Sequence, residues 1–152
     1  KGYEYKLFMK LNDYKFEDLN FGEQFPNNTD IRHTLTFAGA YTYDNLKISL
    51  GFNYKSGRPY TIPNTETPFS GNFINYSVPN NHNLPHYLRT DVSANYSFKI
   101  ANNKAELGLS IWNLLDRKNI INSYHVVKDN VVSKVENQSL GLTPNASFRI
   151  NF

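Results

Sequence analysis

The sequence predicts an all-β fold: an antiparallel up-and-down sheet of about six long strands, read as a segment of a transmembrane β-barrel. Three observations carry that reading. Apolar and polar residues alternate with a period of two over most of the chain, connections alternate between very short and very long, and charges keep to one side of the alternation. Period two belongs to strands, because successive side chains point to opposite faces of a sheet.

Taken in order, a first strand spans about Tyr3 to Leu11 and a second Ile31 to Tyr43, both with weaker alternation. From Leu46 to Lys55 the split is clean, with Leu46, Ile48, Leu50, Phe52 and Tyr54 against Lys47, Ser49, Gly51, Asn53 and Lys55. From Arg89 to Ile100, Thr90, Val92, Ala94, Tyr96, Phe98 and Ile100 oppose Arg89, Asp91, Ser93, Asn95, Ser97 and Lys99. Ala105, Leu107, Leu109 and Ile111 then oppose Glu106, Gly108 and Ser110. The C-terminal stretch sets Leu140, Leu142, Ala146, Phe148, Ile150 and Phe152 against Ser139, Gly141, Thr143, Asn145, Ser147, Arg149 and Asn151. Pro144 cannot donate to a ladder, so the last strand is expected to begin after it.

Asp44-Asn45 and Ala101 to Lys104 read as tight hairpin turns. The connections Asn12 to Asp30, Ser56 to Leu88 and Asp116 to Gln138 are long. In an up-and-down sheet, alternate connections share an end, so the short turns fall on one side and the long loops on the other. Long loops without helical pattern tend to be functional. Within the last one, Tyr124 to Val127 and Val131 to Val135 flank Lys128-Asp129-Asn130 and read as a small hairpin extending the sheet above the membrane.

Composition narrows the class. The 152 residues hold 19% charged and 15% aromatic residues, no Cys and a net charge of +3. That is too aromatic for a disordered tail, and it excludes a disulfide scaffold, a thiolate metal site and a Cys nucleophile. No basic cluster supports nucleic-acid binding. Soluble domains spend about a quarter of their residues on charge. Here Asn is the commonest residue, and neutral amides carry much of the polarity. No run approaches the roughly 20 apolar residues of a membrane helix. The chain starts at Lys1 without an initiator Met, as a processed product or a piece of a larger protein would.

A soluble barrel or sandwich with its apolar face inward gives the same alternation. Strand lengths matching the 9–11 residues of a membrane strand, one-sided long loops and amide-rich connections favour the membrane barrel. Tyr41, Tyr43, Tyr54, Tyr96, Phe98 and Phe152 lie toward strand ends, where aromatic girdles belong.

Several segments resemble one family. Phe25-Pro26, Asp30-Ile31-Arg32-His33 and Tyr54-Lys55-Ser56-Gly57-Arg58-Pro59-Tyr60-Thr61 are followed by Leu84-Pro85-His86-Tyr87-Leu88-Arg89-Thr90-Asp91-Val92-Ser93. Trp112-Asn113-Leu114-Leu115-Asp116 with Asn119 and the terminal Phe152 complete the set. In this order they resemble the C-terminal barrel portion of TonB-dependent outer-membrane receptors. The resemblance implies a barrel of about 22 strands with a plugged lumen, importing a scarce nutrient such as an iron chelate, cobalamin or an oligosaccharide. It further implies short turns in the periplasm, loops outside, and energy from the TonB complex through a plug domain that this sequence lacks. Residues 1–152 would be the last strands of that wall. Phe152 resembles the terminal signal read by the barrel-assembly machinery. The competing readings are a small self-contained outer-membrane barrel and a soluble β-sandwich that binds glycans.

Candidate sites follow from placement. In the loop Ser56 to Leu88, Arg58, Tyr60, Phe69, Phe73, Asn75 and Tyr76 combine flat aromatic faces with neutral donors and acceptors, which suits sugars or a metal chelate; packing within the loop is the alternative. Lys47, Lys55, Arg89, Asp91, Glu106 and Arg149 are expected to face the lumen, lining a permeation path or holding the plug; their signs alternate, which favours wall ion pairs and plug contacts over a strongly anion-selective channel. His82 and His86 are separated by Pro85 and lack a third ligand, so no metal is assigned. No cofactor motif or nucleophile elbow is present, and no enzymatic role is expected.

Overall fold

A computed structural model describes residues 2–11, 15–16, 25–76 and 78–151 of the chain. Much of the first long connection and Phe152 lie outside the described residues, so the expectation placed on Phe152 does too. The described residues contain eight strands longer than two residues: β1 (Gly2–Leu11), β2 (His33–Tyr43), β3 (Leu46–Lys55), β4 (Tyr87–Ile100), β5 (Asn103–Trp112), β6 (Ile120–Lys128), β7 (Val131–Gln138) and β8 (Thr143–Asn151). No helix is found among them.

Six strands form one sheet in the order β1-β2-β3-β4-β5-β8, every neighbouring pair antiparallel. Spatial order repeats chain order, which is the expected up-and-down topology. β1 and β8 are the two edges, so among the described residues the sheet is open and forms no closed barrel.

The short turns are Asp44-Asn45 and Ala101-Asn102. Asp44 (φ 49°) and Ala101 (φ 53°) take the left-handed conformation that reverses a hairpin. That region is uncommon for alanine, and the turn is shorter than the expected Ala101 to Lys104, because Asn103 and Lys104 already pair in β5.

The register sorts the faces without exception for charge. One rung runs Tyr3, Tyr41, Ile48, Ala94, Leu109, Ala146, and another Tyr5, Gly39, Leu50, Val92, Ile111, Pro144. No Asp, Glu, Lys or Arg falls on this face in any of the six strands. Intervening rungs, such as Glu4, Ala40, Ser49, Ser93, Ser110, Asn145, make the other face mostly polar, with Phe8, Tyr87 and Trp112 as its large rings.

The sheet curls toward the polar face. Residues of five successive strands, from Glu4 and Lys6 through Ala38, Lys47, Ser49 and Asp91 to Ser110 and Trp112, line a common open hollow of about 880 Å³. The apolar face is therefore convex, and it is bare: Tyr5, Met9, Leu50, Leu109 and Phe148 are all exposed. Among the described residues the buried apolar side chains are Leu84 and Ala105, with Pro59. A second sheet that would turn this face into a sandwich core is not present among the described strands.

Toward the short-turn end the convex face closes in aromatics. Tyr3 stacks on Tyr41 at 5.9 Å, Tyr96 on Phe98 at 5.9 Å, and Phe98 meets Phe148 at 6.4 Å between ring centres.

Two expectations are corrected. β8 includes Pro144, paired with Ile111, instead of starting after it. It is an edge strand, where a missing N–H is tolerated. The hairpin of the last connection is longer than its apolar residues indicated, with Asp129 (φ 53°) and Asn130 (φ 57°) at the turn. β6 and β7 pair only with each other, so they form a separate two-stranded sheet and do not extend the main one.

Candidate functional site

The three long connections gather at one end of the sheet and bond to one another. Asn80 of the second donates from Nδ2 to the carbonyl of Pro26 in the first at 2.7 Å. Arg58 of the second donates to the Ile121 carbonyl (3.1 Å) and to Asn122 Oδ1 (2.9 Å) in the hairpin of the third.

The second connection begins with the Ser56-Gly57-Arg58-Pro59-Tyr60-Thr61 segment, where most residues have a structural task. Ser56 donates its N–H to the His33 carbonyl at 2.8 Å, and its Oγ accepts from His33 N–H at 3.1 Å. Gly57 lies against the backbone of Leu84 so closely that a Cβ would overlap the Leu84 carbonyl oxygen. Here glycine is required by close approach. Leu84 N–H bonds the Arg58 carbonyl at 2.9 Å, and Pro59 and Tyr60 pair with Asn83 and His82. Thr61 Oγ1 accepts the N–H of Asn80 at 2.9 Å.

The third connection is built on amides. Asn113, fully buried and left-handed (φ 52°), donates from Nδ2 to the carbonyls of Arg117 and Leu140, each at 3.0 Å. Its Oδ1 accepts Arg117 N–H at 3.2 Å. Asn119 turns its side chain to the start of β4, accepting Leu88 N–H at 2.9 Å and donating to the Leu88 carbonyl at 2.8 Å. That amide replaces a strand as the backbone partner of Leu88. Asp116 Oδ1 accepts Leu142 N–H at 2.8 Å. Asparagine suits these places because its short side chain carries both donor and acceptor and tolerates left-handed backbone.

At the seam between the second connection and the hairpin, Tyr60 is surrounded. The His125 ring stacks on it at 6.4 Å and 6°, His82 meets it edge-on at 5.5 Å, and Lys134 Nζ sits 5.6 Å from its centre. Burial holds the His125 pKa below its ordinary value, with Lys134 pushing the same way. Bonding to Glu136 raises that of Lys134. Ser123 Oγ and His125 Nδ1, on the same strand face, are buried without a protein partner.

The candidate ligand residues thus divide. Arg58 bonds the hairpin, and Asn75 Nδ2 donates to the Thr67 carbonyl and Ser70 Oγ, so both amide and guanidinium donors serve the loop itself. Tyr60 is half-buried in its aromatic surround. Phe69 and Phe73 flank the turn of a two-residue hairpin at Gly71 (φ 58°). Phe69 is half-buried, while Phe73 at 79% and Tyr76 at 52% exposure stand out into solvent. An aromatic pair of this kind offers flat apolar faces with Asn side chains close in sequence.

All six of Lys47, Lys55, Arg89, Asp91, Glu106 and Arg149 lie on the concave polar face. Arg89 pairs with Asp91 at 2.8 Å, and Asp91 Oδ1 also accepts Asn113 N–H at 2.8 Å. Glu106 faces Arg149 directly across β5 and β8. Sequence reading did not single out Trp112, which lies on the same face with the Arg89 guanidinium 5.4 Å from its ring centre. Its placement opposite Ser110's neighbours on the polar side of the alternation was the available signal. Of the two histidines weighed as ligands, His82 packs on Tyr60 and His86 Nε2 lies 2.8 Å from Arg117 Nη2.

Comparisons with protein-family models, curated proteins and solved structures return no match.

Proposed function

We propose that this chain is wall, the C-terminal segment of a TonB-dependent receptor barrel in the outer membrane, taking part in active uptake of a scarce nutrient without catalysing a reaction. The observation that supports this best is the curved six-stranded sheet with its polarity reversed: an exposed convex face free of charge and a concave face that is polar. Water opposes a bare apolar face of this extent, since soluble monomers rarely expose contiguous apolar patches beyond a few hundred Å². Lipid accepts it.

On this reading the open edges at β1 and β8 pair with the remaining strands of the parent barrel, because an unpaired edge in hydrocarbon is too costly. The long connections face the exterior, with Phe73 and Tyr76 as first contacts for a small-molecule or glycan substrate. The concave face looks into the lumen. Partners are those of the parent receptor: lipid at the convex face, the assembly machinery that inserts it, and the TonB complex acting through a plug.

The test is the coding sequence upstream of Lys1 together with fractionation of its full product. A plug-bearing precursor that remains in the membrane fraction and needs detergent for extraction is expected. A full-length product that is monodisperse in buffer without detergent would overturn the proposal.

A further inference from the structure

The concave face carries eight of the chain's 16 Lys and Arg but only three of its 13 Asp and Glu. At the loop end stand Lys10, Lys55 and Arg89. Lys6 occupies the middle. Toward the short turns come Lys47, Arg149, Lys99 and Lys104. The carboxylates are Glu4, Asp91 and Glu106, and two of them are already matched, Asp91 by Arg89 and Glu106 by its place opposite Arg149.

The whole chain has an excess of three positive charges, while this single face has an excess of five by the residues just named. Its cations recur from the loop end to the short turns, on every polar rung but that of Glu4 and Ser49, and do not cluster at one point. The six lysines are all exposed, and Lys99 sits directly opposite Lys104. Like charges so placed repel and destabilise a ladder, unless negative charge lies between them. Between the bands the floor is small, with Ala38, Ala40, Ser49, Gly51, Ser93 and Ser110, so a solute can come close to the backbone.

We infer that this face handles polyanions, and that the solute moved along it carries two or more negative charges as phosphate or carboxylate groups. The inference rests on the reading of the face as the lining of a passage. A low-dielectric wall lined by one sign of charge focuses the field and raises the local concentration of the opposite ion. A cationic ladder running the length of the strands draws an anion through instead of trapping it at one site.

The test uses the full-length product in detergent, titrated with inorganic pyrophosphate, with citrate and with neutral sucrose. At least one polyanion is expected to bind more tightly than sucrose, and to weaken roughly tenfold as salt rises from about 20 mM to about 200 mM. Lys10→Gln with Lys55→Gln, which share one rung of the polar face, should weaken it about fivefold or more by removing two neighbouring charges. Lys118→Gln with Lys128→Gln, in the third connection, should leave it unchanged. A polyanion bound no better than sucrose, as when an acidic domain already covers the face, overturns the inference. So does a loop variant that weakens binding as much as the wall variant. Membrane fractionation of the same preparation separates the two readings: a membrane-borne product without polyanion preference defeats only this inference, whereas a soluble product defeats both.

Discussion

The wall and the loop end of this protein are held together by opposite means. In the wall, six strands share backbone ladders, while most of the large apolar residues lie on the convex face, exposed or half-exposed and touching one another only in part. At the loop end the largest fully buried side chains are Asn113, Asn119 and Asp30. Soluble proteins bury Leu, Ile and Phe and leave such residues at the surface. On the proposed membrane reading, the wall's apolar contribution comes from lipid and not from burial within the chain. The loop end is fixed by specific hydrogen bonds.

The largest effect expected from that contrast lies on the convex face. Leu50→Arg places a charge near the middle of β3 and should cost about 2–4 kcal/mol in folding from lipid, against little change for Ser49→Arg one residue away. Refolding yield into vesicles under a urea series reads the difference, and equal effects would break the assignment of faces.

Next in size are two changes at the loop end. Gly57→Ala forces the Leu84 backbone away and should cost about 1–3 kcal/mol through overpacking, seen as faster proteolysis of the second connection while the wall stays resistant. Asn119→Leu leaves both backbone groups of Leu88 without their partner, at about 1–3 kcal/mol for buried groups left unsatisfied. Hydrogen exchange of the Leu88 amide should accelerate sharply in that variant, and unchanged protection would remove the role given to the amide.

A smaller effect follows pH. His125 has a depressed pKa in the folded state, so the unfolded or undocked state binds the proton more readily. Docking of the hairpin on Tyr60 is then fully favoured above the ordinary histidine value of about 6.5 and is lost progressively as pH falls below it toward the depressed value. Protection of the β6 and β7 amides relative to their intrinsic exchange rate at each pH should fall between about pH 7 and pH 5, and His125→Gln should abolish that dependence. Smallest for stability are Phe73→Ala and Tyr76→Ala, expected within about 0.5 kcal/mol as exposed substitutions, yet weakening ligand binding by the full-length receptor. Unchanged affinity would leave those aromatics as surface only.

Much of this molecule was legible in the sequence. The faces of β3, β4 and β5 fell where alternation put them, and so did the Asp44-Asn45 turn and the existence of the last hairpin. The start of β8 at Thr143 was not, because whether a ladder tolerates Pro144 depends on its being at an edge. The separateness of the β6–β7 sheet was not legible either, since its strands look like any others locally. Among the candidate ligand residues, the chemistry of Arg58 and Asn75 was evident, but not that their donors are spent inside the loops.

The sequence by itself determined which side of each strand is apolar, because side-chain direction alternates by backbone geometry and a period of two needs no distant partner. Tertiary structure alone decided the curl toward the polar face, the contact of Gly57 with Leu84, the bond of Asn119 to Leu88 and the cage around Tyr60. Each of those joins residues far apart in the chain, and composition or period holds no record of which amide will meet which backbone. The same is true of charge: sixteen cations spread along a chain become a polyanion-facing ladder only when the register stacks half of them on one face.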